Sequence, residues 1–125
     1  MTTWTSDELT SIGAADELHV APLRRDGTQR TPVPIWVVRD GGELYVRSYR
    51  GPDAAWYRAA HSNAAGHIQA GGVDKDVTFQ AEADDDANNR VDAAYRSKYS
   101  RYGESYIKAM ISPEARGTTL KLTPR

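Results

Sequence analysis

No cysteine occurs in the chain. Disulfide staples, thiol nucleophiles and cysteine-ligated metals are therefore excluded. No charge of one sign dominates: 16 Lys and Arg stand against 17 Asp and Glu, a formal net charge of -1. A near-neutral chain does not bind nucleic acid by bulk electrostatics, so any basic site must be local. No long apolar run is present, which removes a membrane-spanning helix. The opening stretch MTTWTSDELTSIG has neither the basic nor the apolar region of a secretion signal. The expectation is a cytoplasmic protein with no membrane and no nucleic-acid partner.

Familiar catalytic motifs are missing too. There is no G-x-S-x-G, no P-loop and no G-x-G-x-x-G. His19, His61 and His67 have no metal-ligand spacing, and no metal site is expected. They read as surface or internally satisfied residues. The run Asp84-Asp85-Asp86 reads as a solvated helix start, where the helix dipole favours acids, rather than as a cation site.

What is present is enough for one core, and one domain is expected over residues 1–125. Thr5 and Glu8 have capping-box spacing, and Trp4 with Leu9 fits a hydrophobic staple, so a short helix is expected over about residues 5–13. ELHVAPL reads as a strand that Pro22 pushes towards an edge or bulge. PVPIWVVR, Pro32 to Arg39, is apolar on both alternating faces, as in a closed barrel or a packed interface. Asp40-Gly41-Gly42 is a hairpin turn. After it Leu44 and Val46 share one face, and Tyr45, Arg47 and Tyr49 the other. GHIQAGG reads as a further strand. KDVTFQAEA alternates, with Val77, Phe79 and Ala81 inward. The next segment is helical, with a stripe of Ala87, Val91, Ala94, Tyr95, Tyr99 and Tyr102, and GTTLKLTPR closes as a strand. About six meander-connected strands with three or four helices predict a small antiparallel barrel with attached helices.

One stretch concentrates chemistry: VRSYRGPDAAWYRAA, from Val46 to Ala60. A strand delivers Arg47 and Ser48, a tight corner delivers Arg50 and Gly51, and a helix begins at Pro52 or Asp53. Free N–H groups at a helix start bind phosphate, glycine allows close approach, and arginine offers a bidentate fork. Trp56 and Tyr57 follow one turn on, able to cover a flat ring or to face the core. Asp53 opposes a phosphate unless it serves only as a cap. The stretch reads equally as a phosphate cradle or as an ordinary basic corner. A second candidate is the row Tyr95, Tyr99, Tyr102 and Tyr106, at helical spacings of four, three and four. Core packing is the reading for Tyr95. The later three, beyond or beside the break at Gly103, could line a pocket as lids or proton donors.

In order along the chain, RTPVPIW, DGGELYVRSYRG, PDAAWYRAA, YRSKYSRYGESY and LKLTPR form a set. This set resembles the flavin-reductase-like split-barrel superfamily that includes pyridoxamine-phosphate oxidase. The similarity is greatest to the deazaflavin-dependent nitroreductase branch and a related bacterial family of uncharacterised function. The resemblance implies a six-stranded antiparallel split barrel of FMN-binding type, an α+β fold, as a homodimer with FMN or a deazaflavin coenzyme in a groove. It implies that Arg47, Ser48, Arg50, Gly51, Trp56 and Tyr57 hold the phosphate end and that Thr31, Pro32 and Val33 run beside the ring. It also implies that Tyr99, Tyr102 and Tyr106 line the substrate side. Two departures stand out: Tyr49 and Arg50 intervene between Ser48 and Gly51, and Arg58-Ala59 replaces the family asparagine after Trp-Tyr. The implied activity is hydride delivery from reduced deazaflavin, or from FMN, to a small electron-poor substrate. The alternatives are a cofactor- or ligand-binding module without turnover, and a barrel that has lost its ligand.

Overall fold

The computed structural model describes residues 3–125. Met1 and Thr2, where the expected domain begins, lie outside the described residues. The elements run α1 (Ser6–Ala14), β1 (Leu18–Pro22), β2 (Val33–Ile35), β3 (Val37–Asp40), β4 (Glu43–Val46), α2 (Ala55–Asn63), β5 (Ala65–Ala70), β6 (Val73–Ala81), α3 (Asp85–Tyr99), α4 (Glu104–Met110), α5 (Pro113–Arg116) and β7 (Leu120–Pro124). Tight 3-10 turns lie at Gly51–Asp53 and Ser100–Tyr102.

All the strands join one antiparallel sheet in the order β2-β1-β5-β6-β7-β4-β3. Its two edge strands, β2 and β3, are consecutive in the chain with only Trp36 between them. The sheet therefore curls until its edges approach, giving a nearly closed barrel.

Seven strands replace the six expected. The extra one comes from PVPIWVVR, which is two strands rather than one. Val33–Ile35 pairs with β1, Leu18 opposite Ile35, whereas Val37–Asp40 pairs with β4, Val37 opposite Val46. Nor is β1 an edge: it pairs with β2 on one side and β5 on the other. Pro22 is tolerated because it is the last residue of β1, beyond the last pairing with β2 at Val20 and Val33. Ala81, expected inward, is exposed at the end of β6, while Val77 and Phe79 are buried as the alternation requires.

Two apolar clusters flank the sheet. The larger gathers Leu18, Val20, Val37, Leu44, Val46, Ile68, Val77, Phe79, Leu120 and Leu122, closed by Leu9 and Ile12 of α1 and Trp56 and Ala60 of α2. The smaller packs Val38 and Tyr45 against Val91, Tyr95 and Tyr99 of α3 and Ile107 and Met110 of α4. Thus β3 and β4 are buried on both faces, which is why their sequences carry apolar residues at successive positions.

Local chemistry sets the helices. Thr5 Oγ1 accepts from the Glu8 N–H at 3.1 Å and the Glu8 carboxylate accepts from the Thr5 N–H at 2.9 Å, so the capping box is complete. Trp4 joins Leu9 in the core and donates its indole N–H to the Leu122 carbonyl at 2.9 Å. At the tip of the β5–β6 hairpin, Gly71 has φ +56°, and a Cβ there would lie 2.3 Å from the Ser11 carbonyl oxygen. Only glycine allows this hairpin to rest on α1. Asp84 caps α3 by accepting from the Ala87 N–H at 2.8 Å, with Asp85 and Asp86 in the first turn.

Candidate functional site

Strand alternation decides where the residues of the Val46–Ala60 stretch point. Tyr45 and Arg47 share the face of β4 that α3 covers. Arg47 is consequently buried, its side chain 0% exposed. Its Nε donates to Thr119 Oγ1 at 2.8 Å. One terminal nitrogen donates to Asp92 at 2.5 Å and to the Met110 carbonyl at 3.0 Å. The other reaches the Asn88 carbonyl at 3.1 Å and the Asn88 side-chain oxygen at 3.0 Å. The guanidinium also lies over the Tyr95 ring, 5.5 Å from its centre. All five N–H donors are thereby engaged within the protein. Asp92 is shared with Arg116 at 2.6 Å.

Ser48, one residue on, turns the other way. Its N–H donates to Thr118 Oγ1 at 2.8 Å, but its own hydroxyl is buried and has no partner. A buried polar atom without a partner is uncommon and needs an explanation. Tyr49 and Arg50 are exposed, and Gly51 is buried with φ +74° against Glu114. The chain then enters α2 through Ala54, which offers no capping side chain. The first intrahelical bond of α2 is made by the Arg58 N–H to the Ala54 carbonyl, so the N–H groups of Ala55, Trp56 and Tyr57 lack helical partners.

These residues edge a groove of about 700 Å³. Val33, Pro34, Ile35 and Trp36 form one wall, and Ser48, Tyr49, Arg50, Asp53, Ala54, Ala55 and Trp56 the other; Glu17, Arg47, Tyr106 and Met110 complete the lining. It is mostly apolar, with a few convergent polar groups, the ordinary make-up of a small-molecule site. A second cavity of about 370 Å³ shares Glu17, Trp36 and Tyr106 with the groove and adds Asp16 and Tyr102.

Of the residues proposed from sequence, the groove brings together Val33, Arg47, Ser48, Arg50, Trp56 and Tyr106. Thr31 and Pro32 are exposed ahead of β2 and do not line it; Gly51 and Tyr57 are buried and do not line it either. Tyr57 meets Trp56 edge-on, ring centres 6.2 Å apart. Tyr99 is fully buried, and its ring stacks on Trp36 at 4.0 Å and 4°. The Tyr99 hydroxyl donates to the Asp16 carbonyl at 2.8 Å and accepts from the Val37 N–H at 3.2 Å. Burial pushes its ionisation upward. Tyr99 thus props Trp36 from behind, whereas Tyr102 and Tyr106 are exposed. Beside this pillar, Lys98 gives Nζ to the Val37 carbonyl at 2.7 Å, and burial lowers its ionisation to about 8.

Sequence reasoning missed Glu17, Tyr49, Ile35 and Met110 as lining residues. Glu17 lies just ahead of β1, and nothing in the local pattern connects it with the β4 corner. That proximity exists only because β2 pairs with β1 and then crosses to β3.

The nearly closed barrel with attached helices has the split-barrel fold of pyridoxamine-phosphate-oxidase-like proteins. A putative pyridoxamine 5'-phosphate oxidase from Listeria innocua superposes with a TM-score of 0.62 at 12% identity, over 94% of this chain and 88% of that one. An F420-H2 dependent reductase gives 0.62 at 15% identity, over 86% and 93%. HutZ, the heme storage protein of Vibrio cholerae, gives 0.67 at 13% identity, over 93% and 86%. Identities this low establish a common fold. No curated protein matches the chain by sequence. Residues 8–122 match one family model, and the chain belongs to that family, described as "Uncharacterized protein conserved in bacteria (DUF2255)".

Proposed function

We propose that the protein binds a flavin-type cofactor, FMN or a deazaflavin coenzyme, in the groove between Trp36 and Trp56. The proposed activity is that of an oxidoreductase acting on a small electron-poor substrate. The observation that carries this reading is an apolar groove of about 700 Å³ whose lining brings together Trp36, Trp56, Ser48, Arg50 and the uncapped start of α2. The free helix N–H groups and the Arg50 fork suit the phosphate of such a cofactor, and the buried, unpartnered Ser48 hydroxyl would join them on a side-chain rotation. Arg47, with every donor engaged, contributes by holding β4 so that Ser48 faces the groove. Thr31 and Pro32 would meet a ring only through movement of the segment before β2, so Val33, Ile35 and Trp36 are the proposed ring wall.

The cofactor would supply hydride chemistry, and the chain would supply binding, orientation and exclusion of water. Tyr106, which borders the groove and the neighbouring cavity and is 50% exposed, is the proposed proton donor on the substrate side. A homodimer, also proposed, would cover the exposed Tyr49. Two relatives by fold support the redox assignment through what they are called: an F420-H2 dependent reductase, and a FAD-binding protein from Mesorhizobium loti with a TM-score of 0.56 at 16% identity. A further chain of the fold is described as a domain-swapped dimer.

The test is tryptophan fluorescence titrated separately with FMN, riboflavin and a deazaflavin coenzyme. Saturable quenching by a phosphate-bearing cofactor is expected. It should be weaker for riboflavin and for FMN added to the Ser48→Ala or Arg50→Ala variant. Absence of saturable quenching by all three would overturn the cofactor reading. Sedimentation as a monomer at micromolar concentration would overturn the dimer.

A further inference from the structure

The smaller cavity has an unusual lining: two carboxylates, Asp16 and Glu17, and three aromatic rings, Trp36, Tyr102 and Tyr106. The rings are tilted towards one another, Trp36 to Tyr102 with centres 5.5 Å apart at 37° and Trp36 to Tyr106 at 6.3 Å and 57°. Tyr99 covers one face of Trp36 and fixes the ring, leaving its second face for the cavities it lines. Tyr102 and Tyr106 are two of the three large aromatics that the described residues leave exposed.

Charge in this corner is unevenly matched. Asp16 is satisfied by Arg101 and by the Tyr102 hydroxyl at 2.9 Å, and these bonds hold its carboxyl below the usual range. The Arg101 guanidinium lies 4.7 Å from the centre of the Tyr102 ring, so this corner already holds one cation between a carboxylate and an aromatic face. Lys98 is turned away, bonded to the Val37 carbonyl and lying over Tyr99. Glu17 is exposed, makes no ion pair among the described residues, and borders both the cavity and the groove, so its carboxylate stands open at the mouth they share. A cavity walled by aromatic rings with an open carboxylate at its mouth favours a cation over an anion.

We propose that this cavity binds a small organic cation, a quaternary or protonated amine, held by the Glu17 carboxylate and the rings of Trp36 and Tyr106. The site goes beyond the cofactor reading and stands without it. Its ligand is cationic, whereas the proposed cofactor is anionic.

The probe is choline, compared with its neutral isostere 3,3-dimethylbutan-1-ol at constant ionic strength. The readout is the Trp36 indole N–H resonance, assigned with Trp36→Phe. Choline should shift it saturably, with affinity about tenfold above that of the isostere, and Glu17→Gln should abolish most of that difference. Equal binding of choline and isostere would overturn the proposal. So would no shift up to about 50 mM, or full choline preference in a folded Glu17→Gln protein. If Glu17→Gln does not fold, Tyr106→Leu replaces it, with a loss of at least about threefold in choline affinity expected; unchanged affinity overturns the site. The cofactor titration is run on the same samples, so its failure and the failure of the cation site are read separately.

Discussion

Arg47 separates two accounts of the β4 corner, and replacing it with methionine decides between them. As a phosphate ligand, Arg47 would contribute to affinity and little to stability. As the centre of a buried network, it contributes mainly to stability. The Arg47→Met change keeps much of the side-chain volume but removes five hydrogen bonds. Some partners have others: Asp92 keeps Arg116, and the Asn88 side-chain oxygen keeps Thr119 Oγ1 at 2.7 Å. The Asn88 carbonyl keeps its helical N–H partner inside α3, but the Met110 carbonyl loses its side-chain donor, and an unsatisfied buried acceptor costs about 1–3 kcal/mol. With the pairing to Asp92 lost as well, the total is about 3–5 kcal/mol, the usual cost of breaking a buried ion pair. In a domain of this size that lowers Tm by about 10–20 °C. Thermal unfolding followed by circular dichroism measures it. A variant with unchanged Tm and abolished cofactor binding would refute the network account and return Arg47 to the phosphate.

Three further outcomes are expected. Tyr99→Phe removes the hydroxyl that joins the Asp16 carbonyl to the Val37 N–H; it should cost about 1–2 kcal/mol in urea unfolding and leave the optimum pH of any turnover unchanged, as a prop and not a proton donor would. Although burial acts to lower it, the ionisation of His67 is raised by its bonds to Asp76, at 2.8 Å, and to Asp74. A raised folded value means that the stabilisation is full below the unfolded value of about 6.5 and fades as pH rises through the folded value; Tm should fall across that window, and His67→Gln should flatten the dependence. Lys98 has the opposite sign: burial lowers its folded ionisation to about 8, so stability should rise with pH from there towards the unfolded value of about 10.4, and an NMR titration of its ε-methylene should give a midpoint well below those of the other lysines.

Much of the barrel was legible because its signals are local. The capping box at Thr5 and Glu8, the Asp40 hairpin, the alternation of Val77 with Phe79 and the acids before α3 each depend on residues a few positions apart. Long-range pairings were not legible in the same way. Pro22 signals an edge or a bulge, yet the edges of the sheet are β2 and β3, because strand order is set by partners distant in sequence. Alternation along β4 places Arg47 on the face of Tyr45. What covers that face, the buried side of α3, is a tertiary fact. A basic residue at a strand end before a helix has one pattern whether its partner is a phosphate or Asp92.

Trp36 shows how a single misjudged residue links fold to site. Read as the middle of one strand, it is another apolar position. In the structure it separates β2 from β3, so the chain leaves one sheet edge at Ile35 and joins the other at Val37. A residue at such a crossing is freed from the ladder, and its ring is available to form a wall. Tyr99 holds that ring from one side, and the groove and the smaller cavity share it. The break that makes the strand count seven is therefore also what places an aromatic face between the proposed cofactor groove and the proposed cation site. Occupancy of one should alter the Trp36 environment seen from the other.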